Sequence, residues 1–187
     1  MQPASGLSYA SAPALAPQVG GTLHLRPIRA ADASGLQQLV AALSPLARRR
    51  RFHFGINQLT RDAAQALATP VAGRAGAWVV TERDALHGDS RLIADARWAL
   101  ADEAPLGGAA EFAVMVSDSW QRRGVGRVLL MQLLADARAR RLQVLYGDAL
   151  SDNPPMIALA HSLGAAVRRH PTDARLTRMH FALTPLH

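Results

Sequence analysis

Apolar and polar residues alternate through Thr22-Leu23-His24-Leu25-Arg26-Pro27-Ile28, the period-two signature of a half-buried strand. The period then changes. After Asp32, the residues Leu36, Leu39, Val40 and Leu43 recur at three- and four-residue steps, which predicts an amphipathic helix. Ser44-Pro45 reads as a cap followed by proline at the first helical position. A second helix should begin there, carry Arg48 to Arg51 and end near Phe52 to Phe54. Thr60 opens a short third helix reaching Leu67. Three strands follow: Ala77 to Thr81, Arg91 to Leu100 and, beyond a Gly107-Gly108 turn, Ala110 to Ser117.

From Gly124 to about Arg140 the helical period returns, with Leu130, Leu133, Leu134 and Ala137 as the apolar stripe. Arg127, Asp136, Arg138 and Arg141 fall off that stripe. Leu142 to Leu150 reads as a strand. Asn153-Pro154-Pro155 opens a helix to Leu163, which Gly164 stops. Two short strands, near Ala166 to Arg169 and Met179 to Leu183, finish the pattern. Strands interleaved with helices in this way predict a single α/β (α+β) domain over 21–187. Residues 1–20 carry no charged side chain and are rich in Ala, Ser, Pro and Gly; prolines at 3, 13 and 17 interrupt any signal-type apolar core, so a flexible tail is expected.

Composition changes this picture in three ways. A chain of 187 residues with 49% hydrophobic residues can bury a proper core. The absence of cysteine excludes disulfides and thiolate chemistry and fits a cytoplasmic setting. No apolar run reaches the roughly 20 residues that span a bilayer, so no membrane partner is expected. The net charge is +7, and all 21 basic residues are arginine, a side chain suited to forked contacts with phosphate and carboxylate. Charge leaves both an anionic ligand and nucleic acid open.

Ser119-Trp120-Gln121-Arg122-Arg123-Gly124-Val125-Gly126-Arg127 narrows the choice. A Walker loop needs a lysine, and the chain has none. A dinucleotide fingerprint needs a third glycine where Leu129 stands. What fits is a strand, a short loop and a helix N-terminus. The first-turn N–H groups of a helix lack internal partners, and the helix dipole adds positive charge there, so a phosphate is held by main chain. Gly124 and Gly126 allow close approach. Arg122, Arg123 and Arg127 add charge.

Gln121-Arg122-Arg123-Gly124-Val125-Gly126 resembles the Q/R-x-x-G-x-G/A motif of the GNAT (Gcn5-related) N-acetyltransferases, which hold the pyrophosphate of acetyl-CoA in this way. Asp152-Asn153-x-x-Met156-x-x-Leu159-x-x-x-Leu163-Gly164 is similar to that family's late helix, where Asn153 would contact the CoA arm. The resemblance implies a mixed, mostly antiparallel sheet of about six to seven strands flanked by helices. It also implies acetyl-CoA as acetyl donor and a primary amine, on a protein lysine or a small molecule, as acceptor. Two further stretches, Leu43-Ser44-Pro45-x-x-Arg48-x-x-Arg51-Phe52 and Ala110-Glu111-Phe112-Ala113-Val114-Met115-Val116, resemble bacterial protein lysine acetyltransferases of the Pat type.

That closer resemblance implies Glu111 as general base. The sequence adds a physical expectation: a carboxylate inside an apolar strand should be desolvated, with raised proton affinity. Main-chain groups of Val114 and Val116 would hold the pantetheine arm, an N–H around Val116 would polarise the thioester, and Met115 between them is counted with the cofactor-binding residues. Asp118, at the loop entry, is expected to cap or turn the chain. The family's late-helix tyrosine falls at Ala160, leaving no evident general acid; neighbouring His161 points about 100° away and reads as a surface residue. Trp120 is expected to pack the loop onto the core, and Arg48 to Arg51 to form a solvated face, line the acceptor site or contact the adenosine 3′-phosphate. His24, His53, His87, His170, His180 and His187 lack metal-ligand spacing, so no metal is expected. The competing readings are an acyl-CoA-binding domain without catalysis and a nucleic-acid binder, the latter unsupported by interleaved aromatics. A monomer or homodimer is expected.

Overall fold

The computed structural model describes residues 21–84, 90–101 and 108–183. The expected tail, Gly107 of the expected turn, and His87 and His187 lie outside these residues. Within them a single sheet forms from β1 (Gly21–Pro27), β2 (Ala75–Asp84), β3 (Ser90–Leu100), β4 (Ala109–Val116), β5 (Val144–Leu150), β6 (Ala166–Arg169) and β7 (Leu176–Ala182). The strand order is β1-β2-β3-β4-β5-β7-β6. Every pairing is antiparallel except β4 with β5. The helices are α1 (Ala33–Ala42), α2 (Pro45–Phe52), α3 (Arg61–Ala68), α4 (Val125–Ala139) and α5 (Pro154–Ser162). The predicted α/β class and the mixed, mostly antiparallel sheet are what the chain forms.

Helix starts follow the cap chemistry. Ser44 Oγ accepts from the Ala47 N–H (3.2 Å) with Pro45 at the first position, and Thr60 Oγ1 accepts from the Ala63 N–H (3.2 Å). Gly164 ends α5 with φ +94, a left-handed conformation that suits glycine. Two edges differ from the pattern. Strand β2 starts two residues before the expected Ala77 and ends three after the expected Thr81 because it lies between β1 and β3, and Ala75 through Asp84 all find partners. Strand β7 begins at Leu176, three residues before the expected Met179, because Leu176 pairs with Leu150.

Each sheet face carries its own core. On one, Leu129, Leu130 and Leu133 of α4 pack with Trp98, Phe112, Leu145 and Met179. On the other, Leu36, Leu39 and Val40 of α1 pack with Leu59, Ala64, Ala68 and Met115. The expected stripe of α4 is buried, but Asp136 is buried with it, a correction to the sequence reading. Its Oδ2 accepts from Trp98 Nε1 at 2.7 Å, and its Oδ1 accepts from Arg140 Nε at 3.0 Å. A carboxylate can enter the core there because both oxygens are satisfied.

Candidate active site

The site follows from one irregularity of the sheet. Parallel strands β4 and β5 pair only at Ala109↔Val144, Ala110↔Leu145 and Glu111↔Tyr146. Beyond Glu111 they diverge, and a wedge opens between them. Strand β4 still pairs with β3 as far as Val116. The Val116 carbonyl accepts from Gln121 Nε2 (3.1 Å), whereas the following Ser117 N–H donates to Ile93 of β3 (2.8 Å). Strand alternation therefore turns the main-chain groups of Val114 and Val116 into the wedge, and those of Met115 toward β3.

A cavity of about 710 Å³ fills this wedge and continues past both ends. That size accommodates a small-molecule ligand. At one end lie Gln121, Arg122, Gly124, Gly126 and Arg127; in the middle Val114, Met115, Val116, Asn153, Met156 and Leu159; at the other end Glu111, His53, Phe54 and Asp148. Thus ten of the twelve residues singled out from sequence line one space, two side chains excepted. Arg123 turns back over the Trp120 ring (5.1 Å), and Val125 is buried in the core beneath the loop. Trp120 is itself buried, which matches its expected packing role.

The loop before α4 is shaped to hold an anion. Arg122 (φ 59) and Gly124 (φ 85) are both left-handed, and no side chain caps the N-terminus of α4. Its first-turn N–H groups are left for a ligand. A Cβ on Gly126 would meet Leu159 Cδ2 at 3.5 Å and Val116 Cγ2 at 3.8 Å, so this glycine sits where α4, α5 and β4 converge on the cavity. Arg127 Nη1 donates to Ser162 Oγ (3.0 Å), tying α4 to α5. Asn153 is buried at the head of α5, and its side chain does not cap that helix.

The other end departs from the sequence reading. Glu111 is exposed rather than desolvated, because its side chain stands at the point where β5 leaves β4. The arginine run is no simple solvated face. Arg48 Nη1 donates to the Leu43 and Ala41 carbonyls (2.7 and 3.2 Å), closing the end of α1. Arg49 Nη1 reaches Asp152 Oδ2 (3.0 Å), and Arg50 Nη2 reaches the Asp152 carbonyl (3.0 Å). Asp118 does more than turn the chain: its carboxylate accepts from the Ser44 N–H (2.9 Å) and Oγ (2.7 Å). Helix α2 has no buried residue and spans the wedge, clasped to Asp118 beyond β4 and to Asp152 beyond β5.

His53 was passed over in the sequence because it lacks metal spacing, yet it lines the cavity in a left-handed conformation (φ 62) at the end of α2. Burial, and then the nearby Arg51 charge, push its imidazole below the ordinary range. Asp148 lines the same end, and Arg178 holds it bidentately (2.9 and 2.7 Å). Periodicity gives no signal for such residues, since they meet only through α2 and β5. Ala160 is buried and His161 exposed, so α5 presents no acid to the wedge. Among the described residues no group of three or more His, Asp or Glu could hold a metal ion, and no helix is long and apolar enough to cross a membrane.

A model of the acetyltransferase (GNAT) family matches residues 72–165. The chain belongs to this family. The GNAT domain of S. lividans PAT superposes with a TM-score of 0.76 at 25% identity, covering 87% of this chain and 92% of that one. The Salmonella typhimurium protein yncA, whose structure holds acetyl-CoA, superposes at 0.70 with 20% identity over 89% of this chain and 96% of its own. Among curated proteins, a Pseudomonas aeruginosa acetyltransferase is 27% identical across 83% of this chain and 81% of its own length. The [ribosomal protein bS18]-alanine N-acetyltransferase of Salmonella typhimurium is 36% identical over 46% of this chain and 57% of its own.

Proposed function

We propose that the chain moves the acetyl group of acetyl-CoA onto a primary amine by direct attack, with Glu111 as proton acceptor. One observation carries this reading: a single cavity runs from the loop at Gly124 and Gly126, through the β4–β5 wedge, to the only unpaired carboxylate among its described lining residues, Glu111. Acetyl-CoA supplies an acyl carbon activated as a thioester. The α4 N-terminus with Arg122 and Arg127 binds the pyrophosphate, and Asn153 lies against the arm. Val114 and Val116 offer main-chain groups to the pantetheine and to the thioester oxygen, where a donor stabilises developing negative charge. Glu111 takes the proton that the amine must lose. It is exposed in the free chain, and an acceptor filling the cavity would strip its water. No side chain of α5 protonates the departing thiolate, which takes its proton from water.

Thiol release from acetyl-CoA with a panel of amines tests the reading. Glu111→Gln should lower kcat while leaving acetyl-CoA affinity near wild type. An unchanged rate across pH would remove Glu111 as base. Tight binding of acetyl-CoA with no turnover on any amine would favour a binding domain instead.

A further inference from the structure

The acceptor end of the cavity and its surroundings contain carboxylates that already have partners. Asp148 is matched by Arg178, Asp152 by Arg49, and buried Asp95 by Arg97 at 2.6 and 3.0 Å. Asp118 is engaged with Ser44. Two charged groups at this end have no hydrogen bond or ion pair with any described residue: Glu111 and Arg51. Arg51 is the more telling. Its Nε is buried without a partner, as is that of neighbouring Arg50. Its guanidinium lies over the Phe52 ring (4.9 Å) and borders the cavity. Burial pushes it below an arginine's ordinary range, and the carboxylates whose charge it feels are Asp95, already paired, and Glu111. A half-buried guanidinium with no hydrogen-bonded counter-ion is uncommon in a folded protein, and at a cavity wall it is open to an anionic group of a ligand.

Building on the acetyltransferase reading above, we infer that the acceptor is a small amine carrying its own carboxylate, an α-amino acid with an apolar side chain. The amine stands at Glu111 and the carboxylate at Arg51. One free negative and one free positive group complement a zwitterion. They do not complement a polyamine, which would need several free carboxylates where the structure has already neutralised Asp148, Asp152 and Asp95. Arg51 is not a phosphate ligand of the donor, since Arg122 and Arg127 flank the phosphate loop at the opposite end. The apolar part of the acceptor has Phe54 (66% exposed) and Leu46 (49% exposed) at the cavity rim. In the reaction the amine N–C bond forms as the thioester C–S bond breaks. The amine proton passes to Glu111, and the thiolate is protonated from water.

The test compares leucine and phenylalanine with their C-terminal amides, spermidine and a lysine peptide, using the full chain and acetyl-CoA. Deleting the carboxylate should lower kcat/KM between about 10- and 100-fold, the range for a hydrogen bond to a buried charge. Arg51→Gln should erase the preference of acid over amide, lowering kcat/KM for the acids far more than for the amides. Arg51→Lys should keep part of the preference, and its melting curve guards against misfolding. The inference is overturned if wild type acetylates the amides as well as the acids, or prefers spermidine or the lysine peptide. It is also overturned if Arg51→Gln depresses acid and amide alike, which would place Arg51 at the reacting carbonyl. Acetyl-CoA binding without transfer to any amine would refute the acetyltransferase reading itself, a result distinct from transfer to the wrong amine.

Discussion

Gly126 separates the demands of fold and of ligand at one position. It is the second residue of α4, and a methyl group there would make ordinary contacts, 3.5 Å to Leu159 and 3.8 Å to Val116. Glycine inside a helix is worse than alanine by about 0.5–1 kcal/mol. Gly126→Ala should therefore not destabilise the ligand-free chain, and should raise its Tm by up to about 4 °C, given about 2–4 °C per kcal/mol for a domain of this size. Gly126→Glu places a longer, negative side chain beside the phosphate loop. It should leave the fold intact and remove acetyl-CoA binding. Differential scanning fluorimetry reads both effects. A ligand at 100 times its Kd stabilises by about 2.7 kcal/mol, a shift of about 5–10 °C for the wild type. Gly126→Glu should show none of it, and titration calorimetry should agree. A full ligand-induced shift in Gly126→Glu would refute the cradle. A fall in ligand-free Tm for Gly126→Ala would refute the reading of the space between β4 and α5.

Other perturbations probe separate parts of the structure. Asp136→Ala strands the Trp98 indole N–H in the core and should cost about 1–3 kcal/mol in urea unfolding, whereas Asp136→Asn, which keeps an acceptor, should cost less. Asp118→Ala releases one clasp of α2; amide exchange should quicken within Pro45–Phe52 and the acceptor KM should rise, with acetyl-CoA affinity little changed. For His53 the folded-state imidazole is held below its ordinary 6.5, so the unfolded chain binds the proton first. Stability from this group is present above 6.5 and falls as pH drops through 6.5 toward the folded value. His53→Asn, which also tolerates a left-handed backbone, should flatten that part of the pH–Tm curve. Gly147→Ala should destabilise strongly, because a Cβ would lie 2.8 Å from the Phe112 ring.

The elements were legible because their signals are local. The cap at Ser44-Pro45, the stripe of α4 and the stop at Gly164 each act within a few residues, and each forms where the pattern places it. The donor half of the site was legible for the same reason. A loop with two glycines before a helix specifies a main-chain cradle whatever the rest of the fold does. Asp136 was misjudged because period alone cannot show that Trp98, 38 residues away, supplies a partner. The environment of Glu111 was misjudged because an apolar strand looks buried in sequence, and only the parting of β4 and β5 exposes the residue.

By itself, then, the chain's order of residues determined the strands, the helices, the family and the phosphate loop, since hydrophobic period, caps and glycines act over short spans. Tertiary structure decided the acceptor end. Which arginines are spent on Asp152, Asp95 and Asp148, and which one is left facing the cavity, depends on contacts across the fold, Arg49 to Asp152 being 103 residues apart. Charge pairing is a property of distance in space, and the sequence records only distance along the chain.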